Sequence, residues 1–168
     1  MNSFYRNVLV ETLAAIIAGL SLSILFFIFS DFIHTPPNIS GQWYFVNETQ
    51  DTTYEKFKGL KVYYKVMLVQ QGNLISGHGE KIKDELDGEV TEYSGANKIP
   101  IKITGYLKQN FISKDKLNLY YSEEGVNRIS STFHNLIRFN DTKMVGSFDS
   151  TIANSSGKTN YSRIISEL

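Results

Sequence analysis

Cysteine is absent from this chain of 168 residues, which removes disulfides, thiolate chemistry and cysteine-based zinc sites together. Proline occurs only three times, so little in the sequence interrupts strand pairing. Neither sign of charge prevails, with 17 Lys and Arg against 17 Asp and Glu. A chain with no global field lacks the electrostatic footprint of a protein that binds DNA or RNA polymers. Signatures of catalysis are missing as well: there is no G-x-S-x-G elbow, no H-E-x-x-H and no glycine-rich phosphate loop opening a helix. His34, His78 and His134 lie far apart, without metal-ligand spacing. Asp84, Glu85, Asp87, Glu89 and Glu92 share one polar stretch, but without the ligand positions of a calcium hand they read as a solvated loop. The expectation is a chain with no catalytic residue, no metal and no cofactor.

Long apolar runs are absent with one exception. Thr12 to Ser30 reads TLAAIIAGLSLSILFFIFS and contains no charge. Those 19 residues, as a helix, cover roughly 28 Å, close to the hydrocarbon thickness of a bilayer. A cleaved signal peptide is the rival reading. Such a peptide has a shorter apolar core with small residues behind it, whereas Asp31-Phe32-Ile33-His34-Thr35-Pro36-Pro37 comes next here. The anchor is therefore preferred, with His34 at the membrane interface, and Pro36 and Pro37 end the helix. Ala15, Gly19 and Ser23 recur every four residues and form a small-residue face, read either as suited to helix self-association and hence to a homo-oligomer or as a chance triple in a span that contains Ala and Ser. The one basic side chain near the span is Arg6, which by the positive-inside tendency places the β domain outside.

The remainder alternates with a period of two. Tyr and Phe are plentiful, and Asn, Ser and Thr fill the gaps, a strand-and-turn composition. Eight strands are expected: Gly41 to Asn47, Lys61 to Gln71, Leu74 to Ile82, a short one around Ile99, Ile101 and Ile103, Lys114 to Tyr121, Arg128 to Phe139, Lys143 to Ala153 and Asn160 to Ser166. Inward faces are read as Trp43 and Phe45; Val62, Tyr64, Val66 and Leu68; Leu117, Leu119 and Tyr121; Ile129, Phe133, Ile137 and Phe139; Met144, Phe148 and Ile152. On that phase His134 faces outward. Residues 83–97 are the longest loop, and Gly77-His78-Gly79 reads as a β-bulge or a place of close ligand approach. The fold class is all-β, an eight-stranded antiparallel meander closed into a barrel, with a two-sheet sandwich as its competitor. The domain plan is a membrane helix in 1–34, a Pro-containing linker in 35–40 and the barrel in 41–168. Five Asn-x-Ser/Thr triplets, at Asn38, Asn47, Asn140, Asn154 and Asn160, are read as compositional.

Ser40-Gly41-Gln42-Trp43 at the start of the first strand and Tyr161-Ser162-Arg163 in the last resemble the lipocalin and calycin pattern. There a Gly-x-Trp packs beneath a basic residue from the final strand. The resemblance implies that Arg163 covers the Trp43 indole and closes the barrel, so both residues are structural.

The layout as a whole, a membrane segment followed by a compact eight-stranded barrel, resembles the transmembrane β-barrel effectors of CBASS antiphage defence. That resemblance implies a cytoplasmic barrel at the cell inner membrane that senses a cyclic dinucleotide, oligomerises and disrupts the bilayer. Two features depart from it: the chain has one span where the family has two, and its charge flanks favour an external barrel. A dianionic ligand calls for cations and flat aromatic surfaces, and Arg128, Arg138, Lys102, Tyr64, Tyr120, Tyr121 and His78 are the candidates. The alternatives are a membrane-anchored lipocalin-like carrier of a lipid or other apolar ligand, and an interaction module without a ligand.

Overall fold

The computed structural model describes residues 3–33, 37–110, 113–125 and 129–168, with side chains throughout except at 30–33. The described chain divides into two compact units, 1–35 and 36–168. The first is a single helix, α1 (Ser3–Ile33). Within it Ser3–Phe29 is long and apolar enough to cross a membrane, and none of it is buried. It starts nine residues before the uncharged run because Phe4, Tyr5, Val8, Leu9 and Val10 continue the helix through Arg6 and Glu11. Thr12 donates its hydroxyl to the Val8 carbonyl and Ser23 to that of Gly19, so neither hydroxyl would be left unpaired in a bilayer. Ala15, Gly19 and Ser23 are all exposed, and the space over Gly19 is open.

The second unit is all-β: β1 (Gly41–Asp51), β2 (Lys61–Gln71), β3 (Leu74–Leu86), β4 (Glu89–Glu92), β5 (Ile99–Lys108), β6 (Lys116–Glu124), β7 (Ile129–Arg138), β8 (Lys143–Ser150) and β9 (Ser156–Ser162). Every pairing is antiparallel, and the order β2-β1-β9-β8-β7-β6-β5-β3 closes on itself through a β2–β3 pairing. This is the expected eight-stranded closed meander. Closure follows from side-chain period: each strand has one face that must leave water, and a closed sheet buries all of those faces with no free edge. The strands curl tightly where inward positions hold glycine. A Cβ at Gly77, Gly105, Gly146 or Gly157 would run into the backbone of the neighbouring strand.

Several sequence expectations need correction. Residues 83–97 are not a loop: β3 runs on to Leu86, turns through Asp87 and Gly88, both at positive φ, and pairs with β4. Asp-Gly is the hairpin signal that marks this turn. The bulge lies where β3 passes Tyr63 and Tyr64, not at Gly77-His78-Gly79. The last strand is 156–162 rather than 160–166, and β8 stops at Ser150, leaving Ile152 half-buried in a short helical turn. The phase of β7 is reversed. Ile129, Phe133 and Ile137 point outward, as does Phe139 beyond the strand, while Ser130, Thr132, His134 and Leu136 are buried. His134 is fully buried, not outward.

Inside, the barrel has three levels. A lower level of Trp43, Val66, Leu68, Leu107, Leu117 and Leu136 is apolar and buried. A middle level is aromatic: Phe45 is stacked between Tyr64 and Tyr161, at 4.5 Å from each ring. Tyr121 and His134 approach Phe45 at 5.7 Å and 5.3 Å. An upper level, with Asn47, Thr49, Glu123, Ser130 and Thr132, is polar yet still buried.

Candidate functional site

The two ends of the barrel differ, and the difference begins at Gly41. Its φ is +113°, and a Cβ there would meet the Arg163 guanidinium at 2.7 Å. Only glycine allows the chain to enter β1 while Arg163 occupies that space. The guanidinium carbon lies 4.3 Å over the Trp43 ring, and the same group donates to the Ser40 carbonyl at 3.0 Å. Trp43 donates its indole N–H to the Ile39 carbonyl at 2.8 Å, and buried Ile39 packs into the core below it. This end, the floor, is sealed by cation–π contact and satisfied hydrogen bonds.

The opposite end is the mouth. A cleft of about 500 Å³ opens there, walled by Leu60, Val62, Tyr64, Tyr93 and Ile99 and carrying Lys81, Asp84 and Glu123. A smaller space of about 50 Å³ continues inward past Asn47, Thr132 and Tyr121. The acids and hydroxyls form a chain. Asn47 donates to Tyr121 Oη at 3.0 Å, Tyr121 to Tyr64 Oη at 3.3 Å, and Tyr64 to Glu123 Oε2 at 2.8 Å. Burial, the neighbouring Tyr121 and the Glu123 carboxylate hold the Tyr64 phenol well above its ordinary range. Burial also pushes Tyr121 up to about 12. Both phenols therefore keep their protons and serve as donors. On the outer wall Asp84 receives Lys81 at 2.7 Å and the Tyr93 hydroxyl at 2.8 Å. Lys81 also lies 4.6 Å over the Tyr93 ring.

Two oxygens in this region lack a partner: Asn47 Oδ1 and Asp84 Oδ1 are buried and accept nothing. A buried unpaired acceptor costs on the order of 1–3 kcal/mol. Tyr64 is buried against Phe45, and Tyr93 is the tyrosine of this cleft whose ring is partly exposed. Among the described residues no group of three His, Asp or Glu is arranged to hold a metal ion.

The residues singled out from sequence do not converge. Tyr64 and Tyr121 lie together inside the barrel at the base of the mouth. Lys102 and His78 are cross-strand partners on the outer surface, and His78 sits in a shallow outer groove with Lys65 and Met67. Tyr120 is also outward, sharing a hydrogen with Ser131. Arg138 is at the floor end, paired to Asp141 at 3.0 Å and Asp115 at 3.5 Å. Arg128 lies outside the described residues, as does His34. Asn47, Glu123, Lys81, Asp84 and Tyr93 were missed, although the pattern carried a signal for two of them. Asn47 is in phase with Trp43 and Phe45, and Glu123 with Leu119 and Tyr121; a polar residue on an inward phase belongs to the cavity.

Comparison with protein-family models, with curated proteins and with solved structures finds no match for this chain.

Proposed function

We propose that this chain is a membrane-anchored sensor of the antiphage effector kind its layout resembles. The barrel mouth takes a cyclic dinucleotide on the cytoplasmic side of the inner membrane, and ligand-linked oligomerisation of α1 disturbs the bilayer. The single observation that carries this reading is the asymmetric barrel: one end sealed by Arg163 over Trp43, the other open to a cleft of about 500 Å³ that carries Lys81, Asp84 and Glu123. The cleft volume lies in the range of small-molecule sites. In this reading Glu123 and Asp84, which line the cleft, accept from the amino and imino edges of the bases, and Tyr93 offers a stacking face. Phosphates, which two carboxylates would repel, go to Lys81 and to Lys56 and Lys58, which flank Phe57 of the cleft wall in sequence. Ligand binding favours an assembled state in which the Ala15, Gly19 and Ser23 faces of α1 pack together.

The packed interior weighs against the carrier of apolar ligands. Phe45, Tyr64, Tyr121, Tyr161 and His134 already fill the middle of the barrel, and the cleft that remains open carries Lys81, Asp84 and Glu123 among its apolar walls.

The test is a thermal-shift and calorimetric screen of cyclic dinucleotides against the full chain in lipid nanodiscs. A ligand present at about 100 times its Kd stabilises the folded state by about 2.7 kcal/mol, a shift of several degrees. That stabilisation is expected for at least one member of the class and should be lost in Glu123→Ala. No response across the class removes the proposal.

A further inference from the structure

The floor carries more than a seal. Leu74, Tyr106, Phe139, Ile164 and Ile165 are each at least half exposed. All five lie at that end: Leu74 starts β3 opposite Tyr106 of β5, Phe139 follows β7, and Ile164 and Ile165 follow β9. Of the eight large apolar side chains of the described barrel that are at least half exposed, these five lie at the floor, Met67 lies on the wall, and Val90 and Ile129 lie towards the mouth; a concentration of this kind marks a contact surface.

Charge is sorted along the same axis. Lys108, Lys114, Lys116 and Lys143 ring the floor, and among the described residues none of the four is in an ion pair. The acids at this end are engaged: Asp115 and Asp141 by Arg138, and Glu167 by the Ser162 hydroxyl. Lys114 lies 3.7 Å over the Phe139 ring, a cation and an aromatic presented together. The mouth end instead collects Asp84, Glu85, Asp87, Glu89, Glu92 and Glu123, which outnumber Lys56, Lys58, Lys81 and Lys83 there, Lys81 and Lys83 being paired to Asp84 and Glu85. A neutral chain is thus built as a dipole, basic at the floor and acidic at the mouth.

The covalent path names the occupant. The chain enters the barrel at the floor, where Ile39 donates its N–H to Gln70 and accepts from Trp43. Only residues 34–38 separate that point from the end of α1, and six steps of extended chain from Ile33 to Ile39 span at most about 22 Å. The chain from α1 therefore joins the barrel at its basic, apolar end. Apolar and aromatic side chains among lysines are the chemistry of interfacial lipid binding, and anionic headgroups attract the lysines within a Debye length.

We propose that the floor of the barrel is a lipid-contact surface. Leu74, Tyr106, Phe139, Ile164 and Ile165 enter the headgroup region of an anionic bilayer, and the four lysines meet its phosphates. Docking fixes the floor on the membrane and leaves the acidic mouth facing away from it. The surface works whatever ligand the mouth takes.

The absence of native cysteine makes the test clean. Single-cysteine variants of the full chain, Leu74→Cys and Tyr106→Cys at the floor and Val90→Cys on β4 at the mouth end, are labelled with an environment-sensitive fluorophore. They are reconstituted in vesicles of phosphatidylcholine with phosphatidylglycerol that contain spin-labelled lipid. Floor labels are expected to be quenched several-fold more than the Val90→Cys label. The excess should shrink several-fold in phosphatidylcholine alone, at high salt, and in a Lys108→Glu, Lys116→Glu, Lys143→Glu background. All three of these lysines are exposed, so circular dichroism is expected to be unchanged. Equal quenching at the two ends overturns the proposal. So does a floor signal that follows the protein-to-lipid ratio rather than the quencher, which assigns the surface to a second copy of the chain.

Discussion

Four aromatic rings, Phe45, Tyr121, Phe148 and Tyr161, surround the His134 imidazole at 5.2–6.3 Å, and this makes it the acid-sensitive point of the barrel. Its Nδ1 shares a hydrogen with Tyr161 Oη at 2.8 Å, while Nε2 has no partner. Burial lowers its pKa from 6.5 to about 3. The folded state therefore keeps the ring neutral where the unfolded chain takes up a proton. The contribution is complete above pH 6.5 and is lost as pH falls towards 3, at about 1.4 kcal/mol per pH unit. Urea denaturation between pH 7 and pH 4 checks this: the midpoint of wild type should fall steeply with acid, and that of His134→Phe should fall less. At the floor, Arg163→Ala removes the cation over Trp43 and the donor to the Ser40 carbonyl. A loss of about 1–3 kcal/mol is expected, with Arg163→Lys recovering only part of it because an ammonium cannot both stack flat and bridge carbonyls. An Arg163→Ala protein as stable as wild type would show that the seal contributes nothing.

Strands differ in how openly they declare their inner face. In β2, β5 and β6 the large apolar residues are the inward ones, as at Val66, Leu68, Ile101, Ile103, Leu117 and Leu119, and alternation reads correctly. In β7 the larger apolar set, Ile129, Phe133 and Ile137, faces water, and the inward set is Ser130, Thr132, His134 and Leu136. Hydrophobicity alone selects the wrong phase there. The strand crosses the polar upper level of the barrel, and a one-residue slip exchanges the faces completely. The Asp87-Gly88 hairpin was legible but was masked by the acids around it. The mouth was legible only as inward-phase polar residues, which mean little until neighbouring strands bring them together. The phase of β7 is directly measurable: Leu136→Ala is expected to cost about 2–5 kcal/mol, whereas Phe133→Ser should stay within about 1 kcal/mol of wild type. The reverse order would restore the phase read from hydrophobicity. For α1, Gly19→Leu closes the open small-residue face and should weaken any self-association of the helix measured by energy transfer in vesicles.

At the scale of the whole molecule, one chain of balanced charge combines a lipid-compatible helix with a barrel whose ends have opposite characters. The floor is sealed, basic and apolar at its rim; the mouth is open and acidic, with buried acceptors unpaired. Closure of the sheet underlies all of this, because it makes the two ends distinct and forces inward polar residues into a shared cavity. Closure rests on the seam where β1 meets β9, with Phe45 opposite Tyr161 and Asn47 opposite Thr159. Hydrogen exchange on the full chain in lipid nanodiscs reads that seam residue by residue. The amides of β1 and β9 are expected to exchange as slowly as those of β6 and β7, with β4 exchanging much faster as the unshielded strand. Rapid exchange along β1 and β9, as in a sheet with two open edges, would contradict the closed barrel and with it the sealed floor and the mouth.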